Sequence, residues 1–389
     1  MKKINIKKIL EVFLILILFE PTIFVKYNKI NIIFIVGALI SFSYALMIIC
    51  TKNKKIPIYL MLFVLFRCIL IFTTVIGHGD ILKIGYQSVI IIALFMYGMI
   101  FSEKNEVGRL IDILFYIFAT YLFINILLYS AFPNGLYAER EGIHFLGIRT
   151  RFTEYAIVFI LLDALEYKMK HISFKKFVIF LIIAILNIVL PIIATAIIGI
   201  TIMWITYMII SKTRIKIDYK VLLIIGIIIN CLVVFCRIQN IFSSLIENVL
   251  NKSITLTGRT EIWDLSYKYI FNKNIIFGNG LPENGNFVFW RVQLWQAHNQ
   301  ILQILYEAGL IGTMLFYYIW ISLTGKLNYC EDKIECAPII GATIFSFSIM
   351  MTTEIYYYYI PFYVLWLICY YSKDISAICK EREGKHDQV

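Results

Sequence analysis

Long apolar runs, broken only by short clusters of Lys, Arg, Asn, Gly or Pro, dominate this chain and constrain it more than any motif does. Of its 389 residues, 60% are hydrophobic and only 16% are charged. Soluble domains sit near roughly 45–50% apolar and about 25% charged, so a soluble globular fold is excluded, as is a disordered or fibrous chain. At roughly 20 residues per crossing, the apolar supply suffices for about 11 or 12 spans and little else. The runs are continuous rather than alternating, which excludes a transmembrane β-barrel. The expected fold is all-α: a polytopic membrane protein of about twelve transmembrane helices, ten to twelve being the range.

The spans are expected at 9–25, 32–50, 57–76, 84–101, 110–130, 152–167, 177–193, 195–211, 221–236, 299–323, 336–353 and 358–372. With both ends cytoplasmic, 23 of the 36 Lys and Arg residues fall inside, 12 fall outside and Arg67 lies within a span. That asymmetry sets the orientation and explains the net charge of +11 without nucleic acid. The chain then divides into nine helices over 1–236, an outer loop over 237–298, three helices over 299–372 and a polar, loosely ordered cytoplasmic tail over 373–389. The N-terminus, with no small-residue cleavage site after its basic start, reads as a retained first helix. The eight cysteines show neither a disulfide framework nor zinc spacing.

Two outer segments stand out. The stretch 131–151 carries Arg140, Arg149, Arg151 and His144, and 237–298 is the one long polar segment. A loop of that length in a compact membrane protein is usually functional. Within it, Thr257-Gly258-Arg259-Thr260-Glu261-Ile262-Trp263 reads as a helix start, with Thr257 or Thr260 as N-cap and Glu261 near the positive dipole end. This helix should reach about Phe271 and, with apolar residues on more than one face, lie against the membrane domain as a short interfacial element. Gly278, Gly280 and Pro282 end it.

The inner loops hold no Gly-rich nucleotide loop and no paired carboxylates, which excludes an ATP-driven pump on this chain. Outer acids are scattered: Asp80, Glu139, Glu141, Glu154, Glu261, Asp264, Glu283 and Glu354 form no compact ligand set, so a catalytic metal is not expected. Arginines beside a histidine remain. A guanidinium keeps its charge and presents a planar fork of donors, which suits phosphate or diphosphate. Arg149, Arg259 and Arg291 each lie close to an expected helix end at the membrane surface. Singly, each is better read as a headgroup anchor. As a group on the side that should be poor in arginine, they ask for a cause.

His298 opens the tenth span and offers a base at the edge of the loop that carries Arg259 and Arg291. Glu307, about 13 Å further along the helix at 1.5 Å per residue, is too deep to orient it directly. Among intramembrane charges, Arg67 is expected to pair with Glu11 or Glu20 or to line a substrate path, and Asp163 and Glu166 lie toward the inner end of the sixth span. Tyr356 to Tyr359 read as an aromatic belt at the outer interface.

Several of these residues occur in a familiar arrangement. Thr257-Gly258-Arg259-Thr260-Glu261-Ile262-Trp263, then Gly278-Asn279-Gly280, then Ala297-His298-Asn299-Gln300-Ile301-Leu302-Gln303-Ile304-Leu305-Tyr306-Glu307-Ala308-Gly309-Leu310-Ile311-Gly312, resembles the O-antigen polymerase and ligase family. Phe145-Leu146-Gly147-Ile148-Arg149 is similar to that family's outer Gly-x-Arg segment, whereas Ala194-Thr195-Ala196 lacks the arginine of its Ser-Arg-Thr run. The resemblance implies a membrane glycosyltransferase, with His298 and Arg259 catalytic and Arg149, Arg259 and Arg291 gripping a diphosphate. It implies no metal, no nucleotide sugar and no other cofactor.

Donor and acceptor would be undecaprenyl-diphosphate-linked glycans, joined by inverting transfer into O antigen or capsular polysaccharide. The site would face the periplasm or cell exterior from the cytoplasmic membrane, with a chain-length regulator and a flippase as partners. Short length and a modest outer loop favour a polymerase. The alternatives are a ligase that passes the glycan to a lipid or other acceptor, and a lipid-linked oligosaccharide flippase.

Overall fold

The computed structural model describes residues 6–25, 28–52, 55–136, 142–212, 217–238, 240, 258–272, 274–282, 287–289, 292–294, 296–330 and 336–386. The helices among them are α1 (Ile6–Leu16), α2 (Thr22–Val25), α3 (Asn28–Thr51), α4 (Ile58–Ile76), α5 (Ile81–Glu103), α6 (Val107–Ala131), α7 (Phe152–Lys168), α8 (Phe174–Val189), α9 (Ala194–Lys212), α10 (Tyr219–Cys236), α11 (Arg259–Asn272), α12 (Gln300–Thr324), α13 (Cys336–Met350), α14 (Ile360–Tyr370) and α15 (Ser372–His386). A small two-stranded antiparallel sheet pairs β1 (Phe287–Phe289) with β2 (Val292–Leu294).

A helix occupies each of the twelve expected apolar runs. Seven of them, α3, α4, α5, α6, α9, α10 and α12, are long and apolar enough to cross a membrane. The chain is an all-α polytopic membrane protein. Outer helices turn bare apolar faces outward, as α3 does with Ile32, Ile33, Val36, Leu39 and Ile40. Lipid satisfies such a surface, which water would not. The interior is built where α4, α5 and α14 meet, with Phe63, Phe95, Tyr363 and Trp366 in contact at ring-centroid distances of 5.0–6.1 Å.

Four expectations are corrected. The first span is not continuous: α1 stops at Leu16 and α2 restarts at Thr22, because Pro21 in between cannot donate to the helix ladder. The last two spans are shorter than expected, and non-helical backbone fills 351–359 between them. Pro361 in the first turn of α14 fixes where that helix resumes. Eleven residues rise only about 16 Å, so α14 alone does not cross a bilayer core of about 30 Å. The tail is helical as far as His386, and α15 tucks Ile375 and Cys379 into the core. Lastly, Tyr356, Tyr357 and Tyr358 form no surface belt but are buried.

α12 breaks at Gly309, whose φ of 62° and ψ of −168° interrupt the helix. The break is filled by 275–281, which folds back into the bundle. Asn279 and Gly280 donate backbone N–H groups to the carbonyls of Tyr306 and Glu307 at 2.7 and 2.9 Å, and Leu310 N–H reaches Ile275 O at 2.8 Å. Irregular backbone at this depth is tolerated because protein partners satisfy it. A Cβ at Gly309 would lie 2.2 Å from Ile276 O, so the approach requires glycine. On its other side this segment meets the end of α4 and the turn after it, with Asp80 N–H donating to Leu281 O at 3.1 Å and Leu281 N–H to Thr74 Oγ1 at 2.9 Å.

Candidate functional site

The polar first turn of α12 organises one end of the bundle. Asn299 caps the helix by accepting from Leu302 N at 2.9 Å. Its Nδ2 donates to Asn230 Oδ1 on α10 and to the carbonyls of Met351 and Thr352. Gln300 Oε1 accepts from the backbone N–H groups of Tyr356 and Tyr357. Two turns deeper, the Glu307 carboxylate accepts from the hydroxyls of Tyr357 and Tyr358 and from Gln303 Nε2. The buried tyrosines therefore serve to anchor 351–359, the segment that carries Glu354.

His298 sits just before this cap with φ 50°, in the left-handed region. For a non-glycine residue that costs on the order of 1–3 kcal/mol. The turn is pinned on one side by the Asn299 cap and on the other by Ala297 N–H donating to Gln303 Oε1 at 2.8 Å. Glu307 thus bears on His298 only through Gln303 and the backbone, as its depth implied.

Around His298 the fold gathers charges from remote positions. Arg259, at the start of α11, donates through Nη2 to Glu354 Oε1 at 2.7 Å, with side-chain exposures of 21% and 10%. α11 is held there by Trp263 and Ile270, which pack against Val234 of α10 and Leu302, Leu305 and Tyr306 of α12. Arg237 also ties it down, donating to Thr260 O at 2.9 Å and Asp264 Oδ1 at 2.5 Å. Arg151 comes from the opposite flank, on a 3-10 turn (Arg149–Arg151) that leads into α7. Its guanidinium lies 3.3 Å from the Tyr359 ring centroid, reaches Ile355 O at 3.4 Å and approaches Glu154 Oε1 at 3.9 Å.

Burial, with the nearby charges of Arg259 and Arg151, pushes the His298 imidazole down to about 4. It is therefore neutral at physiological pH. Burial raises the Glu354 carboxyl above its ordinary range, and the two arginines only partly oppose that rise. The arrangement offers two guanidiniums, a neutral imidazole and a carboxyl group that holds the guanidinium of Arg259 in place. Such a group can grip a doubly charged anion and take a proton from a hydroxyl beside it.

Of the residues expected at the site, the fold brings His298 and Arg259 together. Arg149 is exposed, donates weakly to Pro133 O at 3.5 Å, and lines an open cavity of about 440 Å³ with Asn134, Gly142, Ile148 and Thr150. Arg291 and Thr257 lie outside the described residues. Thr260 falls inside α11 rather than capping it. Arg151 and Glu354 are additions that the sequence did not single out. The available signals were a third arginine in the basic stretch before α7 and an acid stranded between the last two apolar runs.

His144 is wholly buried against Tyr129 and Phe152, and its ring is part of the packing. Arg67 pairs with neither expected acid: its Nε donates to Ser88 Oγ at 2.9 Å and its Nη2 to Ile84 O at 3.3 Å. Glu11 instead joins Lys104 and Arg109 at 2.8 and 2.7 Å, and Glu20 accepts from Tyr86.

Comparison with protein families matches residues 179–317 to the family described as O-antigen ligase, a segment that contains Arg259 and His298 but neither Arg151 nor Glu354. This bears out the family resemblance of the Thr257 to Gly312 motifs. Comparisons with curated proteins and with solved structures gave no match.

Proposed function

We propose that this chain, with a segment that matches the O-antigen ligase family, is a polysaccharide polymerase joining undecaprenyl-diphosphate-linked repeat units. The observation that carries the reading is the gathering at one end of the bundle of Arg259, ion-paired to Glu354, with Arg151 and His298, whose imidazole lies in the field of both guanidiniums. Arg259 and Arg151 bind the donor diphosphate, with Arg149 on the adjoining cavity in reach of the glycan or headgroup. A sugar hydroxyl of the acceptor attacks the anomeric carbon, and the bond from that carbon to the diphosphate oxygen breaks. The hydroxyl proton passes to His298, and undecaprenyl diphosphate leaves with the bond's electron pair. A single displacement inverts the anomeric centre.

The leaving group's charge is already delocalised, so guanidiniums suffice to stabilise it, and neither metal nor nucleotide sugar enters. The diphosphate also acts on the base. Its negative charge offsets the arginine fields that depress His298 and so raises the basicity of the imidazole when donor is bound.

A ligase would use the same chemistry with a different acceptor. A flippase is less well supported, because it would need free cations in a central cavity, whereas the mid-bundle Arg67 is buried and hydrogen-bonded to Ser88 and Ile84. On this reading the site faces outward from the cytoplasmic membrane, where lipid-linked repeat units await assembly. The test is incubation of purified protein with an undecaprenyl-diphosphate repeat unit, followed by electrophoresis. A ladder of lengths supports a polymerase, and transfer only to an added lipid acceptor replaces it with a ligase. Absence of both rejects the glycosyltransferase reading.

A further inference from the structure

At the other end of α7, about 18 Å from Glu154 by the twelve-residue rise to Glu166, the fold assembles a second group of titratable residues. The inner loops show no paired carboxylates in the sequence, yet helix packing makes a set. Asp112 comes from α6 and Glu166 from the last turns of α7. His171 comes from the turn that follows, where its backbone N–H bonds back to Glu166 O at 3.0 Å. His171 Nδ1 stands 2.5 Å from Asp112 Oδ1 and 3.1 Å from Glu166 Oε2. One donor atom from each of the three lies within 4.8 Å of the others.

A second observation points to a ligand. Glu166 is 1% exposed and its Oε1 has no hydrogen-bond partner. Asp163, three residues earlier on the same helix face, is fully buried, and neither of its carboxylate oxygens has a partner. Buried carboxylate oxygens left unsatisfied are costly unless the group takes up a proton or a cation is supplied.

We propose that Asp112, Glu166 and His171, with Asp163 as a third carboxylate one turn back on α7, form a binding site for a divalent first-row transition metal that clips α6 to the end of α7. The donor chemistry selects the class of ion. One imidazole with two or three carboxylates suits Zn²⁺, Mn²⁺, Fe²⁺ or Co²⁺, whereas Mg²⁺ and Ca²⁺ favour all-oxygen sets. The geometry needs little change. Ligands at about 2.1 Å from a tetrahedral ion sit about 3.4 Å apart, so the Asp112 contact opens by less than an ångström while the outermost atoms draw in. The site is separate from the Arg259 and His298 cluster and takes no part in glycosyl transfer. Its role is to fix the helix pair whose opposite ends carry the Arg149–Arg151 turn.

The test uses the full chain in detergent, stripped with EDTA, desalted and titrated with Co²⁺ while visible absorption is recorded. One equivalent should bind with the ligand-field bands of nitrogen and oxygen coordination and without thiolate charge-transfer absorption, and Zn²⁺ should displace it. Asp112→Asn and His171→Ala should each weaken binding at least about tenfold, and added Zn²⁺ should raise the thermal midpoint of the unsubstituted protein but not of the double variant. The proposal is overturned if the unsubstituted protein binds no ion, if a thiolate band accompanies binding, or if affinity survives both substitutions. The first two readings do not depend on any variant folding.

Discussion

Replacing Arg259 by lysine tests whether this residue acts by geometry or by charge alone. In the structure one terminal nitrogen, Nη2, is engaged by Glu354 Oε1 at 2.7 Å, which leaves the rest of the fork for an anion. A lysine ammonium is a single point of charge: it can satisfy Glu354 or a diphosphate oxygen, but it cannot present the planar pair of donors to both. Losing one preorganised donor to a developing anion costs roughly 2.7–4 kcal/mol, or about 10²–10³ in rate. Arg259→Lys should therefore lower kcat/KM by that factor, read as the initial rate of ladder formation by purified protein. The competing carboxylate supplies a second arm. Glu354→Gln keeps an acceptor oxygen but removes the charge, so alone it should change the rate less than about tenfold, and in the Arg259→Lys background it should restore about tenfold. That non-additivity corresponds to a coupling of about 1.4 kcal/mol. A lysine variant within threefold of the unsubstituted rate would refute the bidentate role. If the effect of Glu354→Gln is the same in both backgrounds, the two residues are neighbours without functional coupling.

His298→Ala should abolish the ladder while the protein stays in the membrane at normal level. Because the base must be unprotonated and its pKa is lowered to about 4, kcat/KM should be independent of this group at neutral pH and fall only as pH drops through about 4; a fall already complete at pH 6 contradicts the assignment. Arg151→Ala should cost more than tenfold in rate and Arg149→Ala less, reflecting the half-buried and the exposed guanidinium; the reverse order would exchange their roles. Gly309→Ala forces a side chain into a left-handed residue 2.2 Å from Ile276 O, so the thermal midpoint should drop by the equivalent of about 2 kcal/mol or more, and an unchanged midpoint would mean that 275–281 does not occupy the break. For orientation, a cysteine at Asn134 should react with an impermeant thiol reagent in whole cells, in a background where the exposed Cys50, Cys68 and Cys236 are serine. One at Asn328 should stay silent, and labelling there alone inverts the topology.

The membrane fold was readable because its signal is local and repeated. Each run such as 107–131 has to leave water on its own account, and the burial of twenty apolar residues outweighs any particular neighbour. Arg259 and His298 were legible for another reason: each lies at a helix start in a short polar motif, so sequence order places both at the bundle's end. The misreadings share a cause as well. Tyr356 to Tyr359 are the right residues for an interfacial belt, and only the buried carboxylate of Glu307, about fifty positions earlier, draws Tyr357 and Tyr358 inward. The polar tail looked free, but Ile375 and Cys379 recur four residues apart on α15 and pack on the bundle.

The sequence by itself determined that this chain spans a membrane in many helices and that arginine and histidine lie on its long loop, since hydrophobic runs and motifs are properties of contiguous residues. Only the tertiary structure decided which charges meet. Arg151, Arg259, His298 and Glu354 come from four separate elements, and Asp112 of α6 meets Glu166 and His171 from the end of α7 and its following turn. Nothing in the spacing between those elements specifies the encounters. Partners in a low-dielectric interior are fixed by helix packing and by the need to satisfy each buried polar group, and both depend on where the whole bundle puts them.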